Sequence, residues 1–245
     1  MDKLESPVQS SERKAAPAAD RPSLPARLWH ALIDPLREHR QDLLLANLAY
    51  FGLVLLGAVI SARNPALQRA LLDNARTALT QGPLATVAQL YVGGHLIPAI
   101  LLTFAFNLFV GTFIFLTLPS LTVPFAGVVL GLIRAFSWGL LFSPTNPTIA
   151  VAMIPHLGTM LLEGEAYVLA MMGAFVLWRN VLWPEASPAG GPRSGPRPKP
   201  DRVQAYIEGV RLNLRLYVPI TALLLIAAVY EVLELVYIVP RLLER

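Results

Sequence analysis

The chain contains no cysteine, which excludes disulfide bridges, thiolate metal sites and cysteine catalysis. Charge is scarce: 15% of the 245 residues are Asp, Glu, Lys or Arg, too few to solvate the surface of an ordinary soluble domain. The four histidines have no clustered spacing, so a metal site built on His156 plus carboxylates has little support. No nucleophile motif, phosphate-binding loop or HExxH sequence occurs, which leaves catalysis without positive support and implies neither a cofactor nor a resident metal. What the chain does have is apolar length: 55% of its residues are hydrophobic and its mean hydropathy is +0.54. The expected class is all-α, a polytopic membrane protein.

A membrane-crossing helix needs about 20 apolar residues. Runs of that kind lie near 42–61, 96–118, 123–142, 155–182 and 216–239, predicting five spans. Residues 22–40 place Leu28, Leu32 and Leu36 four apart, with Trp29 and Ile33 beside them. They read as an interfacial amphipathic helix or a lead-in to the first span. Residues 65–80 repeat Leu67, Leu71, Ala75 and Leu79, with Arg69, Asp73 and Arg76 off that face, a second amphipathic helix. Pro144, Asn146-Pro147 and Pro155 make 143–155 a broken connection. Residues 1–25 are polar with no apolar core, the expectation for a disordered cytoplasmic tail, not a signal peptide. Residues 184–200 are a Pro/Gly/Arg linker, followed by a surface helix over 201–215.

The net charge of +4 comes mainly from arginines outside the spans, which points to topology and lipid headgroups and not to nucleic acid. The N-terminal segment and the 184–215 region are the basic ones. Five spans put both on one side, and the positive-inside rule makes that side the cytoplasm of a cell inner membrane.

A few ionisable residues sit inside the greasy runs. A charge in hydrocarbon costs roughly 2.5–3.5 kcal/mol on insertion scales, so such groups face the protein interior and find partners. They are Arg134 in the third run, His156, Glu163 and Glu165 in the fourth, and Glu231 and Glu234 in the fifth, with Asn107 in the second. Arg134 is the single cation among them, and the expectation is that it pairs with Glu163, Glu165 or the Glu231/Glu234 face. It lies beside a small-residue stripe, Gly127, Gly131, Ala135 and Gly139, four apart, which lets another backbone come close. Two readings stay open for the set. One is a buried ion-pair and hydrogen-bond network that fixes helix packing. The other is a polar site for a substrate headgroup, a proton or a partner's helix.

Three runs carry a family resemblance: AFNLFVGTFIFLTLP, PFAGVVLGLIRAF and PHLGTMLLEGEAYVLAMMGAF, within about 97–181. They resemble the stage II sporulation protein M family of integral membrane proteins. Leu162-Glu163 followed by Ala166 and Ala170 takes the place of the family's Leu-Glu pair and alanines, and Asn107 that of its span asparagine. The sequence departs in two places. Pro155-His156 precedes Glu163 by a longer gap, and Phe125-Ala126-Gly127 replaces an Asn-Gly. The resemblance implies a non-enzymatic scaffold or envelope-remodelling component, with the lipid bilayer, other envelope proteins and a second copy of the chain as partners. A transporter or lipid-handling protein using the same polar groups is the competing expectation.

Overall fold

The computed structural model describes residues 23–81, 85–144, 147–183 and 201–244. Residues 1–22 of the expected tail and all of the 184–200 linker lie outside them. Among the described residues the chain forms eight helical runs and no strand. They are α1 (Leu24–Glu38), α2 (Arg40–Arg63), α3 (Pro65–Gln81), α4 (Ala85–Val92), α5 (Leu96–Thr122), α6 (Ala126–Leu141), α7 (Pro147–Leu182) and α8 (Arg202–Leu243). Four of these, α2, α5, α7 and α8, are long and apolar enough to cross a membrane.

Helix α7 is the axis of the bundle. Of its most apolar stretch 78% is buried, against 11% for α2. Its interior face carries Ala166, Ala170 and Ala174, together with Tyr167, Met171 and Leu177. Helix α8 packs along it through Leu212, Leu216, Ile220 and Leu224. By contrast α2 turns Leu44, Leu45, Leu48, Leu55 and Leu56 outward. A contiguous apolar surface of that extent is what a lipid-facing helix carries and a soluble one rarely does.

The helices alternate in direction. At one end, Arg179 near the close of α7 forms an ion pair with Asp42 at the start of α2. There too Trp178 Nε1 donates to Ser120 O at 2.5 Å, and Tyr206 near the start of α8 donates to Leu121 O at 2.8 Å. We call this the basic end. At the far end, Ser61 near the close of α2 donates to Leu140 O of α6 at 2.7 Å. Gln68 of α3 donates there to Leu141 O and Ser143 O, at 3.2 and 2.5 Å. So α3 lies across the end opposite Arg179, and α2, α5, α6, α7 and α8 run alternately between the two ends.

The small-residue stripe sets the contact of α6. Gly127, Gly131, Ala135 and Gly139 are all buried. A Cβ on Gly139 would run into the Val54 carbonyl of α2, and one on Gly57 would run into Phe136 O and come within 2.9 Å of Leu140 N. Backbone therefore meets backbone where α2 and α6 cross. Ser143 donating to Ala58 O at 2.9 Å closes the same seam. The turn into α6 is a tight one: Phe125 adopts φ +58°, a left-handed conformation rare for an aromatic residue. Its ring is held near Phe175 and Trp183, with centroids 6.1 and 6.2 Å away.

Three expectations about the elements need correction. The connection at 143–155 is not broken throughout, because α7 begins at Pro147 and carries Pro155 inside it; Tyr230 donates to the Pro155 carbonyl at 2.9 Å. The surface helix at 201–215 and the fifth apolar run are one helix of 42 residues, about 63 Å long at 1.5 Å per residue. That exceeds the roughly 30 Å of a hydrocarbon core. It continues past the expected end at 239 to Leu243. The third apolar run forms only 16 helical residues, shorter than the 20 expected.

Two stretches are π-helical, Phe106–Thr117 within α5 and Glu234–Ile238 within α8. Such segments are rare and concentrate at functional positions. Here each begins at or beside a buried polar residue, Asn107 in one and Glu234 in the other. In the first, Thr112 Oγ1 donates to Asn107 O at 2.8 Å, using a carbonyl of the rewound backbone.

Candidate functional site

Helix α7 lays a polar stripe along an otherwise apolar rod: His156, Thr159, Glu163 and Tyr167. The spacings of three, four and four put these residues on one face. That face looks into a cavity of about 250 Å³ lined from α5, α6, α7 and α8. Thr103, Asn107, Arg134, His156, Thr159, Glu163 and Glu231 supply its polar groups, and Phe106, Trp138 and Phe142 its aromatic walls. The cavity extends from Glu163, midway along α7, toward Leu141 and Phe142 at the α3 end.

Glu163 is 4% exposed and is the hub. Asn107 Nδ2 donates to its Oε1 at 2.5 Å. The Tyr167 hydroxyl lies 3.2 Å from its Oε2 and 3.2 Å from Asn107 Oδ1. Having one proton, that hydroxyl donates to one of the two at a time. The Glu231 carboxyl of α8 lines the same cavity.

Arg134 meets this hub indirectly. Its Nη2 donates to the Tyr167 hydroxyl at 2.8 Å, and its guanidinium sits over the Tyr167 and Trp138 rings, 4.0 and 5.0 Å from their centroids. No carboxylate lies within ion-pair distance of it among the described residues. The expected Arg134–carboxylate pair is thus replaced by Arg134–Tyr167–Glu163. The physical reason is that a phenol ring supplies both a cation–π face and a hydroxyl acceptor, while the intervening hydroxyl passes the electrostatic contact on to Glu163. Among the described residues, Arg134 Nε and the Tyr50 hydroxyl are buried with no hydrogen-bond partner.

Glu234 forms a second centre at the α3 end. It is fully buried, takes a hydrogen bond from His156 Nδ1 at 2.9 Å on Oε1, and one from Thr159 Oγ1 at 2.9 Å on Oε2. Glu165 is not part of either centre. Two residues on from Glu163, it points to the other side of α7, where Asn47 Nδ2 of α2 donates to it at 3.4 Å.

No protein family, curated protein or solved structure matches the chain.

Among the described residues no group of three or more His, Asp or Glu is arranged to hold a metal ion. The donor set is suited to other work: one guanidinium, one carboxamide, one imidazole and two carboxyl groups around a void with aromatic walls. Sequence reasoning passed over Tyr167, Thr159 and Trp138. Tyr167 and Thr159 had a signal available, since they stand one turn either side of Glu163. Trp138, one turn beyond Arg134 on α6, had the same one. The Asp42–Arg179 pair at the basic end was also passed over, because both residues looked like span-flanking charges.

Proposed function

We propose that this chain is a non-catalytic, multi-pass membrane protein that works through its intramembrane polar cavity, as a transporter or lipid-handling protein does. The observation that carries the reading is the cavity itself. A network serving helix packing alone has its polar groups satisfied and the space between them filled. Here polar groups from four helices surround about 250 Å³, and among the described residues Arg134 Nε has no hydrogen-bond partner. Ionisable groups at such depth in a membrane helix bundle mark pathways and binding sites by default.

In this reading five helices cross the bilayer. The 16 residues of α6 cover about 24 Å, and the apolar Val123, Pro124, Phe125 and Phe142 extend the stretch at either end. The basic end, with α1, faces the cytoplasm of a cell inner membrane, since the arginine-rich segments of the sequence lie on its side. The cavity then opens toward the outer face.

A second reading is favoured by a separate observation. The two residues that the resemblance to the stage II sporulation protein M family singles out, Asn107 and Glu163, are bonded to each other at the hub. That supports reading the pair as the family's polar core, and with it the scaffold role in envelope or cell-wall remodelling. Reconstitution into liposomes separates the two. The transport reading expects solute uptake or lipid scrambling above that of empty liposomes, lost in Glu163→Gln. A protein inert across a panel of solutes and labelled phospholipids favours the scaffold.

A further inference from the structure

A second hollow lies apart from the polar cavity, on the flank of the bundle near the basic end. It measures about 160 Å³ and is lined by Leu45, Ala46 and Ala49 of α2, Val128 of α6, and Met171 and Phe175 of α7. Asp42 is the single polar side chain lining it among the described residues. Positions 42, 45, 46 and 49 share one face of α2. The small side chains of Ala46 and Ala49 leave the space, and Met171 and Phe175, one turn apart, form its floor. Leu45 and Ala49 are exposed, so the hollow is a groove open to the surroundings of the bundle. From Asp42 to Ala49 it runs about 10 Å along α2, at 1.5 Å per residue.

Arg179 closes this groove at its Asp42 end. Its Nη1 pairs with Asp42, and its guanidinium carbon lies 5.4 Å from the centroid of the Phe175 ring. Two residues of the groove thus hold it. The other Asp42 oxygen lies 3.3 Å from His39 Nδ1. Arg179 Nε and Nη2 are buried, with no hydrogen-bond partner among the described residues. These two nitrogens share one edge of the planar guanidinium, and their N–H bonds run parallel. That is the fork which takes two oxygens of one carboxylate or phosphate. A buried charged donor without an acceptor is costly, so the edge calls for an anion.

The setting of Arg179 selects which anion. One turn on, at the end of α7, Trp183 is 56% exposed, and exposed tryptophans of membrane proteins gather at headgroup level. From there the groove leads toward the middle of α2 and is apolar beyond Asp42. A free phosphate would use the fork and leave the groove empty, and a hydrocarbon would do the reverse. A phospholipid uses both.

We propose that this groove binds one phospholipid, its phosphate oxygens on Nε and Nη2 of Arg179 and one acyl chain along Ala46 and Ala49 against Met171 and Phe175. A lipid held in this way braces the Asp42–Arg179 junction between α2 and α7. The inference does not depend on what the polar cavity carries; it rests only on the chain lying in a bilayer.

The test is native mass spectrometry of the full chain, released from detergent after addition of one of three probes. These are phosphatidylglycerol, a glucosyl diacylglycerol with the same acyl chains and no phosphate, and inorganic phosphate. The expected result is one bound phosphatidylglycerol, at several-fold higher occupancy than the glycolipid, and no retained inorganic phosphate. Ala49→Phe, which fills the groove from its exposed side, and Arg179→Gln should each lower that occupancy several-fold. Arg215→Gln, which removes an exposed arginine facing Glu38 of α1, should leave it unchanged. Equal occupancy by the two lipids in the wild type overturns the site and needs no variant to fold. Inorganic phosphate held as well as the lipid, or occupancy untouched by Ala49→Phe, overturns it too. An equal loss in Arg215→Gln reduces the contact to general surface charge and overturns the fork. Glu163-dependent transport by a protein that holds no phospholipid removes this site and leaves the transport reading standing.

Discussion

Replacing Tyr167 with Phe isolates a single hydroxyl at the centre of the site. The ring, fully buried, stays in place, and so does its cation–π contact with Arg134 at 4.0 Å. What goes is the acceptor for Arg134 Nη2 at 2.8 Å and the donor shared between Asn107 Oδ1 and Glu163 Oε2, each at 3.2 Å. Hydrogen bonds measured inside membrane proteins average about 0.6 kcal/mol and reach about 1.7. The bond to the guanidinium belongs at the upper end, because the stranded donor is charged and its Nε already lacks a partner. The shared donor belongs near the mean, since Glu163 keeps its hydrogen bond from Asn107 Nδ2. Adding one of each gives a loss of about 2 kcal/mol. Equilibrium unfolding in mixed detergent micelles, followed by circular dichroism, reads that loss. A Tyr167→Phe protein within about 0.5 kcal/mol of wild type, below one average membrane hydrogen bond, would refute the claim that this hydroxyl joins Arg134 to Glu163.

Three further outcomes follow from the same geometry. In a double-mutant cycle of Arg134→Leu with Glu163→Gln, the variants should couple by about 1 kcal/mol, toward the lower part of the range for residues in one network, and the coupling should vanish in a Tyr167→Phe background; additive singles in the wild-type background would show that Arg134 and Glu163 are not linked. Gly139→Ala should destabilise the protein by about 1–3 kcal/mol as an overpacking change, because its Cβ meets the Val54 carbonyl and not a movable side chain, whereas Gly52→Ala, with nothing within 4 Å, should be silent in the same unfolding assay. Single cysteines at Ala75 in α3 and at Ser194 in the linker should be labelled by an impermeant reagent from opposite faces of sealed vesicles, and labelling from the same face would remove the five-crossing topology.

Much of the architecture follows from local rules that the sequence displays. The stripe Gly127, Gly131, Ala135 and Gly139 repeats every four residues, so its burial against neighbouring helices is legible without coordinates. The leucine period of α3 and the apolar length of α2 and α5 are legible for the same reason. Proline misled the reading of α7, because a proline costs a helix one backbone hydrogen bond without having to end it, and Pro155 lies inside α7. The arginines of 202–215 suggested a separate helix, but charge does not stop a helix and no breaking turn separates them from Leu216. The rewinding at Phe106–Thr117 and Glu234–Ile238 has no sequence period and could not be read. At the site, Arg134 and the glutamates announce themselves as charges within apolar runs. Which of them meet does not, because the choice between a carboxylate and Tyr167 as the arginine's partner depends on how α6 is rotated against α7.

The most direct test of the cavity as a working site uses the absence of native cysteine, since any introduced thiol reports alone. Thiol reagents attack the thiolate, which forms only where water reaches. Phe142→Cys at the mouth and Thr159→Cys deeper in, both lining the cavity, are compared with Ile133→Cys, next to Arg134 but 53% exposed on the outer surface of α6. A membrane-impermeant sulfonate reagent is added to each side of sealed vesicles in turn. The account predicts that Phe142→Cys and Thr159→Cys react from the α3 side alone, in that order of rate, and that Ile133→Cys is inert from both sides because lipid covers it. Thr159→Cys inert from both sides, or Ile133→Cys reacting as readily as Thr159→Cys, would contradict it.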